Sequence, residues 1–187
     1  MEYSADLFRI VAGWGVASPA WVQAVALVLT DALLLGFIPV AGYVWWRVDR
    51  RARAALAILL SGGAAWVLTD PVKDAVKQLR PCRALPVRTL EHCSEVGVWS
   101  LPSGHSATAA AFAVAVAVLW RRAAAVVAVL ALLEAFLRVF IGVHYPHDVI
   151  AGLLFGALIG VVAAVASKPS AQRPPTAPAR TGERVAA

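Results

Sequence analysis

Apolar residues fill Trp21–Trp46, Pro102–Trp120, Ala123–Ile141 and His147–Ala166 almost without interruption, and most charged residues gather between these runs. A helix needs roughly 20 mostly apolar residues to cross the hydrocarbon core of a bilayer, so each run predicts a membrane-spanning helix. A further run starts near Ala54, spans to about Thr69, and is expected to continue as helix through Asp70, Lys73, Lys77 and Leu79 before stopping at Arg80-Pro81. Pro71 conflicts with that helix and predicts a kink, or a break near Thr69, because its ring removes a donor and crowds the preceding turn. Met1–Pro19 has a different pattern: Leu7, Ile10, Val11 and Trp14 share one helical face, as in a helix lying in the membrane interface. The pattern predicts an all-α, polytopic membrane bundle of about five transmembrane helices plus a short interfacial helix. Its expected divisions are an interfacial segment at 1–19, a transmembrane domain at 20–166 and a Pro-, Ala- and Arg-rich disordered tail at 167–187.

Composition agrees with this pattern. The chain is 60% hydrophobic with a mean hydropathy of +0.73, which excludes an ordinary soluble domain. Glu2, Asp6, Arg9 and Pro19 interrupt the first residues, so no cleavable signal peptide is expected. The net charge of +6 does not indicate a nucleic-acid partner, because much of it falls in Arg47–Arg53, Arg121-Arg122 and the tail. With five spans these lie on one side, cytoplasmic by the positive-inside rule. The N-terminal segment, the loop from Pro81 to Leu101 and the connection Gly142–Pro146 then face outward. Cys82 and Cys93 lie in that loop, where an oxidising compartment would let them pair, at a gain of roughly 3 kcal/mol in the chain-entropy model.

Three polar clusters fall at the outward face. Lys73 and Arg80 are separated by six residues, about two helical turns, which would set both cations on one face. Pro102-Ser103-Gly104-His105 reads as a helix start, with Pro102 opening the helix and the backbone N–H groups of Ser103 and Gly104 facing an anion. Arg138, His144 and Asp148 follow at spacings of five and three residues. Each cluster alone has an ordinary structural reading: a snorkelling cation pair, a capped helix, a Glu134–Arg138 pair. Asp31, costly inside the first span, should face the bundle interior. Taken together, two histidines, three cations and a carboxylate meeting at one membrane face suit a phosphoryl group. Arginine forks bind its oxygens, one histidine can attack phosphorus, and the other can protonate the departing oxygen. Oxygen ligands for a metal are too few and the cysteine spacing is not of the zinc type, so neither metal nor other cofactor is expected.

The stretches Lys73-x6-Arg80-Pro81, Pro102-Ser103-Gly104-His105 and Arg138-x5-His144-x3-Asp148 resemble the three signature motifs of the type 2 phosphatidic acid phosphatase superfamily, which also contains the vanadium haloperoxidases. The resemblance covers roughly residues 20–166. It implies that His144 is a nucleophile forming a phosphohistidine, that His105 is the general acid and later activates water, and that Asp148 orients His144. Lys73, Arg80, Ser103, Gly104 and Arg138 would bind phosphoryl oxygens. One position departs from the pattern: Leu137 stands where the family usually has serine, which removes a phosphate hydrogen bond but no catalytic group. The short length, the N-terminal segment, Asp31 and the turn His144-Tyr145-Pro146-x-Asp148 look most like the small bacterial undecaprenyl-diphosphate phosphatases. That likeness implies undecaprenyl diphosphate as substrate at the outer face of a bacterial plasma membrane, with Lys77, Arg83 and Arg88 as extra cations for the diphosphate. Phosphatidylglycerophosphate or phosphatidic acid is the alternative substrate. A non-catalytic lipid-binding protein of the same fold is the alternative class. Membrane lipids are the only other partners implied, and the sequence leaves the oligomeric state open.

Overall fold

The computed structural model describes residues 2–48 and 52–167, and all regular structure among them is helical. The helices are α1 (Glu2–Ala17), α2 (Ala20–Tyr43, followed by a π turn Val44–Val48), α3 (Ala52–Val76), α4 (Pro81–Ala84), α5 (Gly104–Leu119), α6 (Ala124–Phe140, after a 3₁₀ turn Arg121–Ala123) and α7 (Pro146–Ser167). Four continuous helical stretches are long and apolar enough to cross a membrane: Ala20–Arg47, Ala52–Ala84, Arg121–Phe140 and Pro146–Ser167. With α5 as a shorter apolar helix among them, the chain is a multi-pass membrane bundle. Residues 49–51, inside the first basic cluster, and 168–187, the expected tail, lie outside the described residues.

The bundle is built around α5. Its small residues Ala107, Ala109, Ala111, Ala113 and Ala115 are buried, and α3, α6 and α7 pack around it. The closest approach is to α7, where Gly152, Gly156 and Gly160 face the carbonyls of Ser103, Ala107 and Ala111 in turn. A Cβ on Gly156 would run into the Ala107 carbonyl, so only glycine lets the two backbones come this near. Farther along, the Phe112 ring stacks on Phe37 at 4.9 Å, over the bare Cα of Gly62. The α5–α7 seam begins level with Ser103 and thereby sets the register between the starts of the two helices that carry His105 and Asp148.

α5 has 16 helical residues, about 24 Å at the usual rise, against roughly 30 Å of hydrocarbon. Arg121 and Arg122 border a groove with Arg47 and Trp120 at one end of the bundle.

Several local expectations are corrected. Pro102 does not open α5: the Leu101–Pro102 peptide is cis, Ser103 is the N-cap, and the helix starts at Gly104. α3 runs through Pro71 without a break at Thr69, but ends at Val76 rather than Leu79, where Lys77 takes a left-handed conformation (φ 54°). Asp31 is not packed into the interior: its side chain is 75% exposed, and its hydrogen-bonding partner among the described residues is His105. α1 carries two apolar faces. Phe8, Val11, Ala12 and Gly15 are buried, whereas Leu7, Ile10 and Trp14 point outward, leaving them free for the interface. Cys82 and Cys93 are joined in a disulfide, their Cα atoms 5.8 Å apart.

Candidate active site

The residues that the sequence singles out meet at the end of the bundle opposite Arg121. α6 gives way to a turn at Ile141, where Gly142 adopts φ +91° and passes close to Thr89, so a side chain there would be strained and would collide. The N–H groups of Val143 and His144 donate back to the Arg138 carbonyl at 3.2 and 3.3 Å. This fixes His144 directly over the end of α6. Asp148 lies in the first turn of α7, where an acidic residue is favoured by the unpaired N–H groups, and accepts from the Tyr145 N–H at 2.9 Å.

Three donors hold the Asp148 carboxylate: Tyr145 N–H, Ser100 Oγ at 2.5 Å and Gln78 Nε2 at 2.8 Å. Asp148 Oδ2 lies 3.5 Å from His144 Nδ1, and Ser100 Oγ lies 3.4 Å from the same nitrogen. All the hydrogen-bonding and ionic contacts of the His144 ring are thus through Nδ1, leaving Nε2 for chemistry. His144 is 2% exposed, and burial pushes its pKa down to about 4 against the opposing pull of Asp148, with Arg80 lowering it further. The ring is therefore neutral near pH 7, the state in which Nε2 carries a lone pair.

The cations arrive by routes that the sequence does not reveal. Because α3 stops at Val76, Lys73 and Arg80 do not share a helical face. Arg80 is the extended N-cap of α4 and turns inward, donating from Nε to the Val98 carbonyl (3.3 Å) and from a terminal nitrogen to the Val143 carbonyl (3.4 Å), one residue before His144. Lys73 pairs with Asp70 at 3.0 Å and brings Nζ to the bare face of Gly104. Arg138 is buried. It donates to Thr30 Oγ1 at 3.2 Å and approaches Glu91 at 3.6 Å, while its Nε has no hydrogen-bond partner among the described residues. The expected Glu134–Arg138 pair is indirect: Thr30 stands between them and donates to Glu134 at 2.8 Å.

Ser103 also differs from expectation. Its N–H is not open to an anion but donates to the Asp148 carbonyl at 3.0 Å, and its Oγ accepts from the Ser106 backbone and hydroxyl. The Gly104 backbone remains beside Lys73. His105 packs edge-on against Trp66 at 5.1 Å, and its Nε2 lies 3.3 Å from Asp31 Oδ1. Leu137 is buried among apolar neighbours that include Ala26, Ile141 and Val143, and so serves packing at that position. Arg83 is engaged with the Ser94 carbonyl at 2.6 Å, and Arg88 borders a groove against α1 beside Arg9, so neither is free to add charge at His144.

Sequence reasoning misses Ser100, Gln78 and Thr30, and misplaces Asp31. Gln78 lies inside the first motif and Ser100 just before the second, so proximity to a motif was the available signal. Thr30 adjoins Asp31 as a polar pair within an apolar run. Among the described residues, no group of three or more His, Cys, Asp or Glu is placed to hold a metal ion.

Comparison with known proteins bears on the same residues. A family model described as PAP2 superfamily matches residues 52–171. A lipid A 1-phosphatase of Rhizobium johnstonii is 31% identical over 170 residues, covering 81% of this chain but only 64% of the relative's length. An undecaprenyl-diphosphatase of Sulfolobus acidocaldarius is 32% identical over 126 residues, covering 63% of this chain and 60% of its own. Among solved structures, LpxE of Aquifex aeolicus has the same fold, with a TM-score of 0.68 at 24% identity over 84% of this chain and 92% of its own.

Proposed function

For a chain that belongs to the PAP2 superfamily, we propose the activity of a lipid-phosphate phosphatase working through a phosphohistidine. His144 Nε2 attacks phosphorus, an N–P bond forms, and the P–O bond to the lipid breaks as His105 protonates the leaving oxygen. His105, now neutral, then takes a proton from water, whose oxygen displaces His144 and releases inorganic phosphate. Lys73, Arg80, Arg138 and the Gly104 N–H stabilise the phosphoryl oxygens, and the Ser103 hydroxyl can join them by rotating from Ser106. Asp148 holds the His144 tautomer. The observation that carries this reading is a buried histidine held at Nδ1 by a fully engaged carboxylate, with Nε2 left for attack. The charge pattern supports a site at the extracytoplasmic face of a bacterial plasma membrane.

Two lipids deserve separate tests. Undecaprenyl diphosphate is the sequence expectation, and one relative is named for it; the positions of Arg83 and Arg88 weaken the charge argument for it. A glycolipid 1-phosphate is the second, since another relative is a lipid A 1-phosphatase. The test is phosphate release by detergent-solubilised protein in EDTA on a panel of both lipids, phosphatidylglycerophosphate and phosphatidic acid, with acid-labile label trapped on His144. Wild-type protein inactive on every lipid phosphate would reject the proposal.

A further inference from the structure

Asp31 has an unusual position. It lies on α2, ahead of the stretch matched by the family model. It lies eleven positions beyond the start of α2 at Ala20, about 16 Å along the helix at the usual rise, and a carboxylate this far inside an apolar span is costly where it faces lipid. Its one hydrogen-bonding or ionic partner among the described residues is His105, with Asp31 Oδ1 3.3 Å from Nε2. The opposite character prevails around the phosphoryl end, where Arg80, Arg138 and Lys73 supply positive charge. Trp66, packed edge-on against the His105 ring, contributes no charge. The site therefore has two poles: three cations where the transferred phosphoryl group would sit, with Asp70 and Glu91 beside Lys73 and Arg138, and the carboxylate of Asp31 where the acid would meet the leaving group.

We propose that Asp31 is a positioning and specificity-determining residue, which orients the His105 ring through Nε2 and selects substrates whose leaving group is uncharged. This inference rests on the phosphatase reading above and narrows it. Nε2 carries a single proton, so a leaving oxygen that receives it takes the place of Asp31 in that hydrogen bond and comes to lie beside the carboxylate. A lipid alcohol or sugar hydroxyl is accepted there. A departing phosphate brings negative charge against the carboxylate and is disfavoured. The substrate class is accordingly the phosphate monoester of a membrane lipid rather than its diphosphate.

Farnesyl phosphate and farnesyl diphosphate share one tail and differ in the charge of the leaving group, so they test this directly in matched micelles. The readout is the ratio of kcat/KM for monophosphate over diphosphate, in wild type, Asp31→Asn and Asp31→Glu. Both lipids are assayed on the same protein, so loss of folded fraction cancels from the ratio. The expected result is a fall of about 10-fold or more in Asp31→Asn, as the diphosphate gains kcat and the monophosphate loses it, and a ratio closer to wild type in Asp31→Glu. An active enzyme whose ratio is unchanged in Asp31→Asn overturns the inference and leaves the phosphatase reading standing. Wild-type protein inactive on both lipids and on p-nitrophenyl phosphate overturns both.

Discussion

The two histidines stand in opposite surroundings. His144 is buried on a turn between two packed helices, and its carboxylate partner is itself held by three donors from three separate segments: Tyr145, Ser100 and Gln78. His105 starts a helix whose own packing is equally tight, yet its carboxylate partner comes from α2, is largely exposed, and is held by nothing else among the described residues. A nucleophile must be aimed before any substrate arrives, so rigid second contacts serve it. An acid must serve a group that enters and leaves, so a single adaptable contact at the open side suits it. The difference teaches that one site can be preorganised on one side and substrate-dependent on the other.

The largest effect expected on that contrast comes from His144→Ala. Removing the attacking nitrogen should lower kcat by about 10⁴-fold or more while the melting temperature in detergent stays near wild type. Near-normal turnover would remove the nucleophile from this pocket altogether. Next is His105→Asn, expected to cost about 10²–10⁴-fold on lipid alcohol esters and clearly less on p-nitrophenyl phosphate, whose leaving group needs no proton. Equal losses on both substrates would erase the distinction between the two histidines.

Ser100→Ala sharpens the comparison further. It removes one of the three supports of Asp148, and a hydrogen bond of this kind contributes about 0.5–1.5 kcal/mol, or about 3- to 10-fold in kcat; a larger loss would mean that Ser100 acts on substrate. The smallest effect is expected from pH. His144 must be neutral to attack, and its depressed pKa of about 4 keeps it so. At pH 5 about nine-tenths of the ring should still be neutral, where an ordinary histidine near 6.5 would be almost wholly charged. Measured as the rate of phosphoenzyme formation, His144 titration should therefore cost little between pH 7 and 5, and an acid limb centred near 6.5 would contradict the burial argument.

Hydrophobic runs alone determined the membrane class and the apolar helices, because the bilayer demands length and apolarity whatever the neighbours are, although α5, expected as a full span, is shorter than the other four. Motif spacing brought Lys73, Arg80, His105, Arg138, His144 and Asp148 to one end of the bundle, since alternating spans leave few choices for which loops share a face. The pairing of Cys82 with Cys93 followed from their sharing one short loop. What the linear pattern did not carry was direction. A helical count placed Lys73 and Arg80 on one face, whereas the left-handed turn at Lys77 ends that helix and sends Arg80 inward by another route. Pro102 looked like a helix opener, but the N–H of Ser103 is taken by Asp148 from α7, a contact that exists only once Gly152 and Gly156 let α7 close on α5. Ser100, Gln78 and Thr30 are ordinary polar residues in sequence, and only packing gives them Asp148 and Arg138 as partners. Asp31 carried a cost visible in the sequence, but tertiary structure alone decided that the histidine beside it would be His105, because a hydrogen bond across 74 residues depends on how two helices lie and not on what either one prefers alone.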